Sequence, residues 1–318
     1  MICALPRFVP LPKAPADEFR LIAAYLRDLD RGDGVALGNG DDAAILELRA
    51  GEQAVVSSDV ANEGVHFPPD SPAPSLAFRA VAAAASDLAA MGARPVAMTL
   101  NLSLPTRDEA FFAGLRDGLQ DACRAFSLPL VGGDLVRGPL SLGVQVFGAV
   151  PRGHALLRSG ARVGDQLCVS GFLGDAAAGL ALEQGRLEAS GEDAEALRAA
   201  FWRPQPALGL GQALRDVATA AIDVSDGLLA DVGHLARASG VGAVIDSPML
   251  PLSAALKRCV DDATALRMAL TGGDDYVLCF TLPGDGSVPP ACTVIGRIEA
   301  GTGVSCDTDV DTDGYRHF

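Results

Sequence analysis

Lysine is almost missing from this chain: only Lys13 and Lys257 occur among 318 residues, and the other basic side chains are arginines. No G-x-x-x-x-G-K-[ST] phosphate loop is present, so any phosphate chemistry must use arginine, backbone amides or metal for neutralisation. Basic residues are scarce altogether, 25 against 40 acidic, for a formal net charge of −15. That balance argues against a general nucleic-acid-binding surface and suits a cationic partner, either metal ions or a positively charged small molecule. The four histidines, His66, His154, His234 and His317, are scattered and form no H-E-x-x-H. No G-x-S-x-G occurs either, which disfavours a serine hydrolase of that kind. The seven cysteines form no C-x-x-C, which argues against zinc, and their odd number points to reduced thiols in the cytoplasm. No run of apolar residues is long enough to span a membrane, and "MICALPRFVPLPKAP" is too proline-rich for a signal peptide.

Hydrophobic residues make up 49% of the chain, which predicts a folded protein with a large core and two domains. Leu21, Ile22, Tyr25, Leu26 and Leu29 have helical spacing and predict a helix over 17–29. Short strands are expected at Ala43–Leu48 and Ala54–Ser57, followed by a long loop, "DVANEGVHFPPD". Ser75 is the expected N-cap of an alanine-rich helix reaching Met91, with Gly92 as its stop. A strand at Pro95–Leu104 precedes a helix opened by a Thr106–Glu109 capping box. "LPLVGGD" reads as a buried strand ending in a glycine turn. Leu140, Leu142, Val144 and Val146 alternate with Ser141, Gly143 and Gln145, the period of a half-buried strand. The boundary is placed at "VPRG", giving domains over 1–150 and 151–318. In the second half, strands are expected at Val163–Ser170, Ala220–Val224, Val241–Asp246 and Tyr276–Leu282, alternating with helices that include Asp175–Gln184 and Leu228–Ala238.

Acidic residues recur where these strands end. "GNGDDAAIL" at 38–46 places Asp41 and Asp42 at a strand edge, "SSD" at 57–59 closes a strand, and "VGGD" at 131–134 follows one. Each could be a turn or a ligand site, since Asp and Gly serve both. "AIDVSDGLL" ends a strand at Asp223, and Ser225 and Asp226 are placed to cap the next helix, whose N-terminus also attracts phosphate. "LTGGDDYVLCF" repeats the pattern at Asp274 and Asp275. Asp87 differs from these: its helical neighbours are Ala83, Ala84, Ala90 and Met91. A carboxylate on an apolar face needs an arginine, a backbone donor or a metal. Dispersed oxygen donors without a calcium loop point to magnesium, which takes one or two carboxylates plus substrate phosphates.

Taken together in this order, "GNGDDAAIL", "SSDVANEGVHF", "ASDLAAMGARP", "LVGGDLVRGPL", "LLRSGARVGD", "AIDVSDGLLADVGH", "LTGGDDYVLCF" and "DGYRHF" make the chain similar to the thiamine-monophosphate kinases along nearly its full length. These belong to a wider group of ATP-using enzymes with aminoimidazole ribonucleotide synthetase, selenophosphate synthetase and a hydrogenase-maturation protein. The resemblance implies an α/β (α+β) fold of two domains. The N-terminal domain would carry a mixed sheet that pairs across a homodimer, and a C-terminal α/β domain would complete the active-site cleft. It implies ATP and thiamine monophosphate as substrates, several Mg²⁺ ions, a cytoplasmic setting, and neither nucleic-acid nor membrane partners. Residue by residue, it implies Asp41, Ser58, Asp59, Asp87, Asp134, Asp223 and Asp226 as metal ligands. Gly133, Asp134, Arg158 and Ser225 are the implied ATP contacts, and His66, Asp274 and Tyr315 the implied contacts to thiamine monophosphate. Asp87, Asp134, Asp226 and Arg158 are the implied catalytic set. The family often has "GGEDYEL" where this chain has Asp274, one methylene shorter, and Val277 replaces the usual acid. The alternatives are another ATP-dependent enzyme of the same group, or a non-catalytic regulator that binds metal and nucleotide. The chain lacks the reactive N-terminal cysteine–lysine setting of the selenophosphate synthetases and ends in Phe318 rather than cysteine.

Overall fold

The computed structural model describes residues 21–106 and 108–308. The first residues of the expected 17–29 helix, the closing "DGYRHF" and with it Tyr315 lie outside them. The described part of that helix is a π-helical turn, Ile22–Leu26, continued by a 3-10 turn, Arg27–Leu29. A small antiparallel pair follows, β1 (Val35–Leu37) and β2 (Ile45–Leu46).

The first half is built on a four-stranded sheet in the order β3-β6-β4-β5, where β3 is Glu52–Asn62, β4 Arg94–Leu104, β5 Leu130–Arg137 and β6 Ser141–Pro151. β6 shows the alternation read from the sequence, with Leu142, Val144 and Val146 buried. β3 pairs with β6 from Glu52 to Asn62, so the opening of the expected loop, "DVAN", is strand. A long-range ladder overrides the local polar composition there. "GGD" also lies within a strand rather than in a turn: β4 and β5 run parallel, with Leu100 opposite Gly133 and Asn101 opposite Asp134. Gly133 has φ +143, and a Cβ at that position would collide with the Leu100 carbonyl oxygen. Gly133→Ala is therefore expected to cost about 2–3 kcal/mol, read as a lower urea midpoint at constant m-value; an unchanged midpoint would show that the strand can shift to accept the methyl.

Two helices cover one face of this sheet, α1 (Ala73–Ala90) and α2 (Glu109–Phe126). The α1 N-cap is Pro72 rather than Ser75: prolines suit the first turn, where amides have no helical partner. At α2 the expected Thr106 cap is replaced by Asp108, whose side chain accepts from the Ala110 N–H at 2.9 Å. α1 is buried on nearly all sides, and Arg79 and Asp87 are its only charged residues. Its alanines let it lie between the two halves, and the core around it includes Phe201 and Trp202 from the second half.

The second half has a six-stranded sheet in the order β12-β9-β11-β7-β10-β8. Its strands are β7 (Gln166–Val169), β8 (Ala220–Asp223), β9 (Gly242–Ile245), β10 (Leu278–Leu282), β11 (Thr293–Glu299) and β12 (Gly303–Cys306). All pairs are antiparallel except β12 with β9. The helices are α3 (Asp175–Glu183), α4 (Gly191–Trp202), α5 (Leu208–Leu214), α6 (Leu228–Ser239), α7 (Ala254–Cys259) and α8 (Asp262–Thr271). No helix among the described residues is long and apolar enough to cross a membrane.

Candidate active site

A cavity of about 590 Å³ opens between β3, α1, the turn from β8 into α6, and the turn before β10. Ser58, Asp59, His66, Asp87, Asp223, Ser225, Asp226 and Asp274 all line it. Thus eight of the residues singled out in the sequence meet in one place, and they come from both halves of the molecule. Arg79 and Tyr276 line it as well and were not anticipated.

The acidic wall follows from strand and helix periods. Alternate residues of β3 share a face, so Ser57 and Asp59 point together toward α1 while Ser58 is out of phase. Ser57 Oγ donates to Asp87 Oδ2 at 2.5 Å. The partner that Asp87 needs is thus, among the described residues, a hydroxyl. Asp59 is exposed at its cleft edge, yet loss of water to the surrounding protein and the charges of Asp87 and Asp226 push its carboxyl up to about 6. Asp223, 4% exposed at the end of β8, is pushed up to about 7 by burial, then by Asp87 and Asp59.

The β8–α6 turn is held differently from expectation. Neither Ser225 nor Asp226 caps α6; its N-cap residue is Gly227. Asp231, in the first turn and 2% exposed, reaches back instead, its Oδ2 accepting from the N–H groups of Ser225 at 3.0 Å and Asp226 at 3.1 Å. Burial, followed by Asp223 and Asp226, raises its carboxyl to about 8. This arrangement leaves the Ser225 and Asp226 side chains uncommitted to capping. The sequence signal for it is an acid in the first turn of α6, masked by "SDG", which itself offers a plausible cap.

The turn before β10 splits the Asp274–Asp275 pair. Asp275 faces inward and caps α3, accepting from the Gly174 N–H at 2.9 Å and the Ala176 N–H at 3.4 Å. Asp274 (φ +62) and Tyr276 (φ +51) both occupy the left-handed region. Such residues cost on the order of 1–3 kcal/mol each and persist only where surrounding contacts enforce them. The enforcing contacts are Asp274 N–H to the Ser225 carbonyl and Tyr276 N–H to the Val224 carbonyl, both at 2.8 Å. The two acidic turns are therefore stitched together. His66 sits across the cavity, where Nδ1 accepts from the Asn62 N–H at 3.0 Å, which places the proton of the neutral ring on Nε2.

Four residues from the sequence reading do not line this cavity in the single chain. Asp41 is exposed and accepts from the Asp42 N–H at 2.9 Å. Gly133 and Asp134 lie on β5, at the far edge of the sheet from β3. Arg158 is exposed on the segment beside β8, its carbonyl accepting from Ser239 Oγ at 3.1 Å. Among the described residues it enters no ion pair. Tyr315 lies outside the described residues.

Magnesium fits this donor set. The acids of the cavity offer oxygen only; of the basic side chains lining it, Arg79 is already paired with Asp274, and His66 has its Nδ1 engaged by the Asn62 N–H. Burial and mutual repulsion raise Asp59 and Asp223, the condition a divalent cation relieves. Among the described residues no three ligating side chains already converge on one point. That spacing suits an ion held by one or two carboxylates plus phosphate oxygens rather than an all-protein cage.

Comparison with known proteins agrees with this architecture. Residues 40–150 match the AIR synthase related protein N-terminal domain, and residues 162–308 match the AIR synthase related protein C-terminal domain. Thiamine-monophosphate kinase of Escherichia coli K12 is 45% identical over 321 residues, spanning 95% of this chain and 98% of its own. The crystal structure of thiamine-monophosphate kinase from Stenotrophomonas maltophilia K279a superposes with a TM-score of 0.82 at 46% identity, covering 91% of this chain and 95% of that one. A structure of AaThiL complexed with AMPPCP and TMP gives a TM-score of 0.80 at 34% identity, with 87% and 91% covered. A fold of two α/β domains is thus shared with enzymes of one kind, and the chain belongs to the AIR synthase related family and, within it, to the thiamine-monophosphate kinases.

Proposed function

We propose that this protein transfers the γ-phosphoryl group of ATP to the terminal phosphate of thiamine monophosphate, giving thiamine diphosphate and ADP. The observation that carries this reading is the convergence of Asp59 and Asp87 from the first half with Asp223 and Asp226 from the second on one cavity. The kinases that share 45% identity over 95% of the chain, and the AMPPCP and TMP complex of AaThiL, support the choice of substrates.

The acceptor phosphate has a second pKa of about 6, so near pH 7 it is largely dianionic and already nucleophilic. No general base is needed, and we assign none. The obstacle is repulsion between two polyanions. Asp59, Asp87, Asp223 and Asp226, with Asp41, Ser58 and Asp134 as further expected ligands, would hold several Mg²⁺ ions. When bound, these ions neutralise phosphate charge and align the reactants. Ser225, on the turn that Asp231 holds at the α6 N-terminus, is the expected ATP contact. Gly133 and Arg158 are the other expected nucleotide contacts. At the acceptor end, Asp274 and the Tyr276 ring suit the cationic thiazolium, with cation–π attraction of roughly 0.5–2 kcal/mol; His66 and Tyr315 are the remaining expected contacts. Transfer is direct, with no phosphoenzyme.

We also infer a homodimer formed on the open face of the first sheet. Val56 and Val60 are 52% and 53% exposed there, on the side away from α1, and strand register puts Asp134 on that same face. Pairing on it would enclose Asp134. A cytoplasmic location follows from the use of ATP and agrees with the free thiols of Cys168 and Cys279.

Incubation with Mg²⁺, ATP and thiamine monophosphate is expected to yield thiamine diphosphate and ADP in equal amounts. ATP consumption without thiamine diphosphate, or a phosphorylated aspartate on the pathway, would overturn the respective part of the reading.

A further inference from the structure

We infer that Arg79 is a positioning residue that aims the Asp274 carboxylate into the cleft and thereby sets affinity for the phosphate acceptor rather than for ATP. The inference deepens the kinase reading and rests on it.

Arg79 is 6% exposed, and its guanidinium is fixed from two sides. Nη1 donates to the Phe201 carbonyl at 2.6 Å, in the last turn of α4, where carbonyls lack helical partners and a cation is favoured. The guanidinium carbon lies 4.0 Å from the centroid of the Phe201 ring. Held this way, Nη2 meets Asp274 Oδ1 at 2.7 Å. The Tyr276 hydroxyl donates to the same oxygen at 3.1 Å. Both protein bonds fall on Oδ1, which leaves Oδ2 as the oxygen through which Asp274 can meet a ligand. Asp274 cannot choose this placement alone. Its side chain is short and its backbone is in the left-handed region, so a buried charge partner and a phenol are what fix it.

The separation between the acceptor and the nucleotide follows from α1. Arg79, Ala83 and Asp87 lie at successive i, i+4 positions, on one face that lines the cavity. Eight residues span about 12 Å of helix. One helix thus presents the acceptor-side anchor at one end and a metal-side carboxylate at the other, with the small side chains of Ala80 and Ala83 between them.

The test uses Arg79→Gln, Arg79→Lys, Asp274→Asn and the double variant R79Q/D274N, reading steady-state kinetics and amide hydrogen exchange. R79Q is expected to raise KM for thiamine monophosphate by about tenfold or more, the worth of one charge-assisted hydrogen bond, with KM for ATP within about twofold of wild type. R79K keeps the charge and recovers part of the loss. In the D274N background R79Q adds no more than about a further twofold, because both changes remove the same arrangement. The amides of Asp274 and Tyr276 exchange faster in R79Q while those inside β10 do not change. An unchanged KM for thiamine monophosphate, equal losses for both substrates, or losses that multiply in the double variant would overturn the assignment. If the wild type makes no thiamine diphosphate, the kinase reading falls, and unaltered exchange at residues 274 and 276 in R79Q would then by itself overturn the positioning role. If R79Q does not fold, D274N must show the same split between the two KM values, and its absence overturns the assignment.

Discussion

Asp87→Asn lowers turnover by about 10²–10³-fold and leaves the protein as stable as before, or more stable. The amide oxygen of the replacement can still accept from the Ser57 hydroxyl, so the local hydrogen bond survives. What disappears is the charge. Asp87 contributes to the raised carboxyls of both Asp59 and Asp223, so its neutralisation relieves repulsion in the folded state. In the proposed chemistry that charge is required to hold a divalent cation between two anionic reactants, and its loss falls on kcat. Steady-state kinetics and a thermal melt on the same preparation check the prediction. Wild-type turnover would remove Asp87 from the site, and a melting temperature lowered in step with activity would assign it a structural role.

The second expected result is an unusual dependence of stability on pH in the metal-free protein. Asp59, Asp223 and Asp231 titrate near 6, 7 and 8 in the fold, all well above the ordinary carboxyl value of 3.8. A raised folded value means that the native state binds protons the unfolded chain has released. Stability therefore falls as pH rises through those values and is regained on acidification. The melting temperature is expected to be higher at pH 5.5 than at pH 8.5, by on the order of 5 °C. Asp193, Asp261, Asp307 and Glu52 shift the other way, and their stabilisation is lost only as pH falls through their folded values, below this window. Added Mg²⁺ with a non-hydrolysable ATP analogue should flatten or reverse the slope, because the cation competes with protons for the same oxygens. A melting temperature that rises from pH 5.5 to 8.5 without metal would contradict the arrangement of these acids.

Much of the site was legible because it consists of short-range patterns. A glycine–acid pair at a strand end is visible in the sequence whatever the fold, and Asp223, Asp226 and Asp274 were found that way. Asp87 was found through a mismatch, a charge on an alanine face. What sequence alone did not reveal depends on long-range placement. Arg79 stands in the same alanine helix as Asp87, but its partners, Asp274 and the Phe201 carbonyl, come from the other half of the chain. Ser57 rather than Ser58 reaches Asp87 because β3 continues to Asn62 in register with β6, which fixes the phase of its side chains. Asp231 took over a cap that local rules gave to Ser225 or Asp226, since a buried carboxylate farther along the chain satisfies the amides of both at once. The same logic applies to the fold. β6 and α6 were visible in periodicity, whereas α4, β11 and β12 have weaker local signals and are defined by the sheet and helices they join.

Catalysis as proposed needs acids from both halves of the molecule to share divalent cations with a nucleotide. Anomalous diffraction from crystals grown with Mn²⁺ and a non-hydrolysable ATP analogue addresses it directly. The expected peaks lie within coordination distance of Asp59 or Asp87 on one side and of Asp223 or Asp226 on the other, with phosphate oxygens completing the shell. Peaks ligated by acids of one half alone, or a nucleotide bound with no metal in this cavity, would contradict it.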